Sequence, residues 1–217
     1  LEPIKDFYHG NSVPPLMTSD LLKVVAPIRI ELNVCKRADV ALHNFGLLCR
    51  WESLAHCMEE ARRMFQAEGE PAISLTVDNA RRQQINKDVN RRLAPEESRL
   101  LESEDGPILL YKGAPLIGTK IQHGITNAIW YTVTDVNERL HLLSERGETV
   151  SLTFEQAAQC LALRHAMTVH KSQSRTLEGH VRICPGARPG HVSHHWSLNH
   201  LLVAASRATA LANLSIE

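Results

Sequence analysis

The sequence predicts an α/β domain interrupted by a small antiparallel β insertion, and three observations indicate this fold class. Ala72–Val77 is a continuous run of β-favouring residues, typical of a parallel strand buried on both faces, and a helical pattern follows it. Between Ile108 and Leu152, short β-type runs are separated by glycine or polar turns, which is typical of a small barrel or meander. Helical and α/β patterns resume at Phe154 and continue to the end of the sequence.

The region before the first buried strand predicts an irregular connector, then a strand and a pair of helices. Residues 1–27 are irregular and rich in proline. Ile28–Leu32 alternates apolar and polar residues, as expected for a strand. Apolar residues recur at helical spacing over Ala38–Cys49 and Ser53–Ala67, and Ser53 is a suitable N-cap for the second of these helices.

The buried strand is followed by a helix with its own pattern of apolar residues. Asp78 or Asn79 can cap this helix, and Ile85, Val89 and Leu93 form its apolar stripe. Basic side chains decorate the same helix, which is usual for a solvated face and is also compatible with phosphate contact. The predicted division of the chain is a connector over 1–27, an α/β domain over 28–107 and 153–217, and the insertion over 108–152.

Composition excludes several classes of protein. The 217 residues are 43% hydrophobic and 22% charged, which is ordinary for a globular chain. Lys and Arg number 24, as do Asp and Glu, so any nucleic-acid binding must come from local patches. No apolar run is long enough to cross a bilayer, and no basic-then-apolar leader is present. The five cysteines lack CxxC spacing, so we expect reduced thiols in an intracellular protein; nucleus, cytoplasm and viral replication site all stay open.

Two stretches suggest a ligand site at first sight, but their residue order or spacing is unsuitable. Gly113 and Gly118 have the spacing of a phosphate-binding loop, but Thr119 precedes Lys120 and the sequence continues into a strand. The histidine-rich segment 180–200 has no spacing typical of a zinc site. We therefore predict no triphosphate-binding loop and no metal site in this chain, and a polar surface loop for the histidine-rich segment.

The strongest chemical signal lies near the end of the sequence. In His170–Thr176, "HKSQSRT", every side chain can donate a hydrogen bond, and no carboxylate follows until Glu178. Donor-rich, acceptor-poor runs suit phosphate. Leu201–Thr209 lies on a predicted helix, where small alanines around Arg207 allow close approach, so this arginine is suited to stabilising charge during phosphoryl transfer. A solvated polar loop and a surface arginine at a helix end stay open as alternatives.

These segments resemble, in order, the motifs of superfamily 1 helicases of the RecD/PIF-like branch. The β-rich insertion also lies where that branch carries a small barrel, before motif V. Thr76, Asn79 and Asn86 stand at places that match the opening of the second motor domain. The matching stretches are Leu1–Ile4 after motif III, Ile30–Leu42 for motif IV with Arg37 as its arginine, Leu75–Asn86 for that opening, Ala166–Thr176 for motif V and Leu201–Thr209 for motif VI.

The resemblance implies a half-motor: a RecA-like parallel-sheet domain with helices on both faces, interrupted by a small antiparallel β-barrel. ATP and Mg²⁺ would be bound chiefly by a missing first motor domain. Arg37 and Arg207 would reach the γ-phosphate as catalytic arginines, and Gln173 and Ser174 would lie with them at the ATP site and its coupling to the strand. The residues implied in binding the single strand are Thr76, Asn79, Thr168, His170, Lys171 and Ser172.

The function implied is that of the C-terminal half of an ATP-dependent 5′-to-3′ DNA helicase. Its partners would be single-stranded DNA and the N-terminal motor domain of the same full-length protein, with no membrane. RNA stays open as the nucleic acid, as does a non-catalytic binding or interaction module that retains the fold. Without a phosphate-binding loop, the fragment alone is expected to be inactive. Ser174 departs from the family, which has glycine there. Because serine tolerates a positive φ poorly, we expect either a rebuilt loop or altered ATP coupling.

Overall fold

Two sheets organise the part of the chain that the structure, a computed structural model, describes, which is residues 38–217. One sheet has four parallel strands and the other five antiparallel strands, and a two-stranded hairpin lies between them in the sequence. The connector 1–27, the strand Ile28–Leu32 and Arg37 lie outside the described residues. Within residues 38–217, no helix is long and apolar enough to cross a membrane.

Helices and strands alternate at the two ends of this region, and strands dominate its middle. The helices are α1 (Val40–Leu48), α2 (Leu54–Met64), α3 (Asn79–Leu93), α4 (Phe154–Cys160) and α5 (Leu198–Ala205), with a 3₁₀ turn at Leu211–Asn213. The strands are β1 (Ile73–Thr76), β2 (Arg99–Ser103), β3 (Gly106–Leu110), β4 (Pro115–Gly118), β5 (Trp130–Val136), β6 (Leu140–Ser144), β7 (Thr149–Leu152), β8 (Leu161–Leu163), β9 (Ala166–Thr168), β10 (Val181–Cys184) and β11 (Leu214–Ile216).

The parallel sheet has the strand order β11-β10-β1-β9, and it carries helices on both faces, as predicted. Leu75, Met167 and Ile183 lie on one face and form a single core with buried residues of α1, α2 and α5, among them Phe45 and Leu201. Helix α3 contacts β1 and β9 but contributes no residue to that core, so it lies against the other face. Strand β1 is buried at all four positions, with Ile73 and Leu75 in this core and the polar Ser74 and Thr76 on the opposite face, so the run that predicted it is β-favouring rather than apolar throughout.

Four of the five α-helices within residues 38–217 begin at side-chain caps that the sequence supplies; at α3 the N-cap residue is Asp78, one of the two predicted, but its side chain makes no cap hydrogen bond. Asp39, Ser53 and Ser197 each accept a hydrogen bond from the backbone N–H three residues later, at the first turns of α1, α2 and α5. Thr153 does the same for α4, as part of a reciprocal capping box. Such caps satisfy N–H groups that have no partner inside the helix, and each stabilises its helix by about 1 kcal/mol.

The buried face of α3 is polar, so the apolar stripe predicted for this helix is not its main contact surface. Ile85 and Val89 are only half-buried, and Leu93 is 46% exposed. The buried residues of the helix are instead Arg82, Asn86 and Asn90, which we call the polar stripe. They are spaced four residues apart, so they lie on one face of the helix.

The polar stripe faces strand backbone rather than apolar side chains. The Asn86 amide donates to the Ala166 carbonyl at 3.2 Å, and its oxygen accepts from the Ala166 N–H at 2.7 Å. Asn90 forms the same pair of bonds with Leu109 of β3, at 3.0 and 2.8 Å. Because β9 is an edge strand of the described sheet, its outer N–H and C=O groups need partners, and an asparagine amide supplies both.

The insertion is antiparallel, as predicted, but its sheet is open rather than a closed barrel. The strand order is β7-β6-β5-β4-β8, in which β8 lies outside the predicted insertion 108–152, and among the described residues the two end strands do not pair with each other. After β7 the chain forms α4 instead of another strand, and Ala157 and Cys160 of this helix join a second core around Tyr131 and Leu142. A helix therefore covers the apolar face that strand closure would otherwise enclose. The domain boundaries at 107/108 and 152/153 stay predictions.

Candidate nucleic-acid and nucleotide site

The loops that follow β1 and β9 lie side by side at the carboxyl edge of the parallel sheet, because Thr76 and Thr168 are paired in register. Thr76 is fully buried, and its hydroxyl donates to the Asp78 carbonyl at 3.0 Å. Thr168 is also buried, and its Oγ1 accepts from the Lys171 N–H at 3.3 Å. Both hydroxyls therefore shape the turns after the strands. Their predicted contact with a nucleic-acid strand stays a prediction.

The segment His170–Thr176, which we call the donor loop, folds as successive tight turns. The Ser172 N–H donates to the Thr168 carbonyl at 3.1 Å, and the Gln173 N–H donates to the His170 carbonyl at 3.2 Å. Ser172 is fully buried, and its hydroxyl donates to the Val169 carbonyl at 2.7 Å. The exposed side chains of the loop include those of His170, Lys171, Gln173 and Ser174.

The backbone of Ser174 adopts the left-handed conformation that favours glycine, with φ of 69°. Serine thus adopts this conformation itself, at the position where the resemblance implies glycine. A non-glycine residue in this region costs about 1 kcal/mol, because its Cβ approaches the following carbonyl. The Ser174 side chain is exposed, and hydrogen-bonded turns on both sides of the residue hold its backbone in this conformation. Altered ATP coupling stays a prediction.

Arg207 was predicted to lie on a helix, but α5 ends at Ala205, and Arg207 lies in the turn after it, hydrogen-bonded to the donor loop. Its guanidinium donates to the Arg175 carbonyl at 3.2 Å and approaches the Ser172 carbonyl at 3.5 Å. Its Nε donates to the Val203 carbonyl at 3.1 Å, and its own carbonyl accepts from the Leu177 N–H at 2.8 Å. The structure therefore brings together the arginine predicted to reach ATP and the loop predicted to contact the strand.

The start of α1 lies against the segment that follows Arg207. The Asp39 N–H donates to the Thr209 carbonyl at 3.0 Å, and the Asp39 carboxylate accepts from the Leu211 N–H at 2.9 Å. A cavity of about 300 Å³ opens between α1 and α5, and its lining includes Ala38 and Arg207. Asp39 thus joins the start of α1 to the segment after Arg207, whereas Arg37 itself is outside the described residues.

The first turn of α3 brings an ion pair to the edge of the site. The exposed Asn79 accepts from Arg82 at 3.2 Å, and Arg82 forms two bonds with the Asp105 carboxylate, at 2.6 and 2.7 Å. Burial by itself raises the pKa of Asp105, but the bonds and charge of Arg82, with Gln83 and the charge of Lys171, lower it below its ordinary value. The β2–β3 turn therefore places a carboxylate within electrostatic range of the donor loop.

Arg82 and Asp105 are not among the residues predicted from the sequence. Arg82 is one of several basic residues on α3, and its sequence context does not separate it from the exposed ones. The only local signal is its spacing of four residues from Asn86 and of eight from Asn90, which places it on the same helix face.

The histidine-rich segment 180–200 was predicted as a polar surface loop, but it contains the buried strand β10 and the start of α5, and its His200 is buried against His170. The His170 and His200 rings have centroids 5.8 Å apart, and His200 also stacks on Trp196 at 5.7 Å. Burial, together with the nearby His170 and His195, lowers the pKa of His200 to about 4, so its ring is neutral at pH 7. His200 also completes the capping box of α5, in which its Nδ1 accepts from the N–H of the N-cap residue Ser197 at 3.2 Å. Within residues 38–217, no group of His, Cys, Asp or Glu side chains is arranged to hold a metal ion.

A parallel sheet flanked by helices, with its candidate site at the carboxyl ends of the strands, defines a doubly wound α/β domain. The particular proteins that it resembles in fold are Pif1 helicases. The chain superposes on Bacteroides Pif1 bound to single-stranded DNA with a TM-score of 0.65 and 19% identity, covering 86% of this chain and 51% of that one. A complex of Bacteroides Pif1 with ADP-AlF3 and single-stranded DNA gives 0.64 and 18%, covering 87% and 51%.

Pif1 from Candida albicans gives a TM-score of 0.61 and 14% identity, covering 82% of this chain and 53% of that one. The chain thus spans about half the length of these helicases and has the fold of that half. No protein-family model matches the sequence, and no curated protein matches it.

Proposed function

We propose that this chain is the second motor half of an ATP-dependent DNA helicase. The observation that carries the proposal is the hydrogen bonding of Arg207 to the carbonyls of the donor loop. A translocating motor must link the state of ATP to its grip on the strand. Here the residue assigned to the nucleotide and the loop assigned to the strand form one bonded unit, so a movement of either changes the other.

Binding of single-stranded DNA is assigned to the carboxyl edge of the parallel sheet. Lys171 offers a cation, and His170, Asn79 and Gln173 offer exposed donors. Such groups bind phosphate and sugar without selecting sequence, as a translocating enzyme requires. The buried Thr76, Thr168 and Ser172 are proposed to hold the loop backbone in position beside the strand. Movement from 5′ to 3′ is implied by the RecD/PIF-like branch, and RNA is the alternative strand.

ATP is assigned to the cleft between this half and a first motor domain. Arg207, with Arg37 from motif IV, is proposed to stabilise charge on the γ-phosphate, and Gln173 and Ser174 lie on the same loop. Asp39 lies two residues after Arg37, and its N–H donates to the carbonyl of Thr209, which lies two residues after Arg207. This bond supports the pairing of the two arginines. Cationic and amide donors suit phosphate oxygens, whereas Mg²⁺ prefers carboxylate and water ligands, so the metal is assigned to the first motor domain.

The test is Arg207→Ala in the full-length protein, with ATP hydrolysis measured at saturating oligo(dT). We expect strand-stimulated turnover to fall on the order of 10³-fold, because a cis arginine contributes at least this much to phosphoryl transfer. Most of the oligo(dT) affinity should remain, since Arg207 is assigned to ATP.

Arg188→Ala is the matched control, because Arg188 is an exposed arginine in the loop before α5. Near-normal turnover in Arg207→Ala would remove this residue from the ATP site. A wild-type protein that binds oligo(dT) but does not hydrolyse ATP would instead identify a non-catalytic binding module.

A further inference from the structure

Arg175 of the donor loop extends its side chain onto the β insertion. Its guanidinium bonds to both carboxylate oxygens of Glu145, at 3.1 and 3.2 Å, and donates to the carbonyl of Ala128. The same group lies 4.5 Å from the ring centroid of Trp130. The Arg175 and Glu145 side chains are only 20% and 32% exposed, so solvent screens this pair less than it screens a fully exposed one.

The insertion presents these partners as a preformed set. The Glu145 N–H donates to the Trp130 carbonyl at 2.8 Å, and the Trp130 N–H donates to the Glu145 carboxylate at 3.3 Å. A second guanidinium, that of Arg164, lies 4.1 Å from the same ring centroid. Arg164 interacts electrostatically with both Glu145 and Arg175, so loss of the Glu145 charge would leave the repulsion between the two guanidinium groups uncompensated.

Burial by itself raises the pKa of Glu145, but hydrogen bonds from Arg175 and the Trp130 backbone, with the nearby positive charges, lower it below its ordinary value. The carboxylate is therefore ionised at pH 7, as the ion pair requires.

At its other end, Arg175 belongs to the turn that holds Arg207. The Arg175 N–H donates to the Ser172 carbonyl at 3.1 Å, and the Arg175 carbonyl accepts from the Arg207 guanidinium at 3.2 Å. Arg175 therefore bonds to the insertion through its side chain and, through its backbone, to Arg207, the arginine proposed to contact ATP. The intervening Ser174 is in the left-handed region, so the turn needs contacts that hold it in place.

We propose that Arg175 is a positioning residue through which the β insertion holds the donor loop and Arg207 in the geometry for ATP turnover. This proposal rests on the proposed function. Arg175 acts through the loop backbone, whereas Arg207 is assigned to ATP itself. The insertion is thereby an intramolecular control element, because any movement of Trp130 and Glu145 is transmitted to the loop.

The first experiment measures amide hydrogen exchange in the 217-residue chain. This measurement does not depend on ATPase activity. Arg175→Ala should increase the exchange rates of the backbone amides at positions 175 and 177 about tenfold. The substitution removes the ion pair with Glu145 and the cation–π contact with Trp130, which oppose local opening of the loop. Glu145→Gln should act at the same two amides through a change in the insertion. Amides of β1 should be unaffected.

The matched control is Arg146→Ala, which removes an exposed arginine beside Glu145. It should leave the loop amides unchanged. Unchanged loop exchange in both Arg175→Ala and Glu145→Gln would overturn the proposal.

The second experiment measures strand-stimulated ATP hydrolysis by the full-length protein. Arg175→Ala should lower kcat about tenfold while KM for ATP changes less than about twofold, because it misplaces Arg207 without removing a group assigned to ATP. Arg175→Lys should recover part of kcat, since it keeps the cation but loses the two-pronged bond.

If the wild-type protein hydrolyses ATP and Arg175→Ala leaves kcat unchanged, the positioning role is refuted and the proposed function stands. Absence of wild-type turnover would refute the proposed function and, with it, a role of Arg175 in ATP turnover. The exchange measurement would then report only the mechanical link between insertion and loop.

Discussion

Two polar clusters flank the edge strand β9, and they treat their hydrogen-bonding groups in opposite ways. In the polar stripe of α3, Arg82, Asn86 and Asn90 are buried and bonded to protein groups. In the donor loop, His170 and Lys171 are exposed. A buried polar group must have a partner, so the stripe specifies one arrangement of helix, sheet and hairpin. Exposed donors stay hydrated at no such cost and remain accessible to a phosphate.

The difference shows how one sheet edge can be held in position by buried bonds and still present exposed donors to a ligand. Asn86 fixes β9 through Ala166, and β9 leads directly into the donor loop. The loop therefore starts from a strand whose position is held on one side by β1 and on the other by α3. Preorganisation of this kind lowers the ordering cost of binding, because the backbone beside the ligand is already in place.

The largest effect expected in this comparison is that of Asn86→Ala. The substitution leaves a buried N–H and a buried C=O of Ala166 without their partner, so we expect a loss of about 2 kcal/mol in the free energy of unfolding, measured by urea denaturation. Lys87→Ala, on the exposed side of the same helix, should change this free energy by less than about 0.5 kcal/mol. Equal effects of the two substitutions would mean that the polar stripe does not fix the sheet edge.

A smaller and different effect is expected for Lys171→Ala. It should lower the affinity for oligo(dT) severalfold at low salt and reduce the slope of log K against log salt by about 0.7, as expected for one lost phosphate contact on a single strand. Unfolding should be almost unaffected, because the side chain is exposed. The control is Lys112→Ala, an exposed lysine of the insertion. An unchanged salt slope would show that Lys171 does not contact the strand.

Features that depend on a residue's immediate neighbours are the ones that the sequence predicts well. The strand Ile73–Thr76 is buried at every position and lies within the predicted run Ala72–Val77, because a run of β-favouring residues is a local signal. The cap at Ser53 is equally local, whereas Asp78, one of the two residues predicted to cap α3, makes no side-chain cap hydrogen bond. The donor loop was identified by its unbroken series of donors, and its closeness to Arg207 was implied only by the order of the helicase-like motifs.

Features that depend on distant partners were not predicted. The polar face of α3 follows from where β9 and β3 lie, since Asn86 meets a residue 80 positions later. The contact of Arg175 with Glu145 joins residues 30 positions apart across two sheets. The spacing of four residues in the polar stripe places its members on one helix face but does not identify their partners, and the pairing of Arg175 with Glu145 leaves no pattern in the sequence. The open insertion sheet is a similar case, because strand lengths and spacing do not reveal that a helix, and not a strand, covers the core.

The smallest effect, and the one that separates backbone strain from hydrogen bonding, is expected for Ser174→Gly. Glycine adopts the observed φ of 69° without strain, so the substitution should raise the free energy of unfolding by less than about 1 kcal/mol, the strain relief being partly offset by the greater chain entropy of glycine. Ser174→Ala is the matched control, because it keeps the Cβ and removes only the hydroxyl. If the alanine variant behaved like the glycine variant, strain at residue 174 would not be the cause. If glycine also raised strand-stimulated turnover while alanine did not, serine would be acting as a brake on the loop through its backbone, which is the altered coupling expected from its departure from the family.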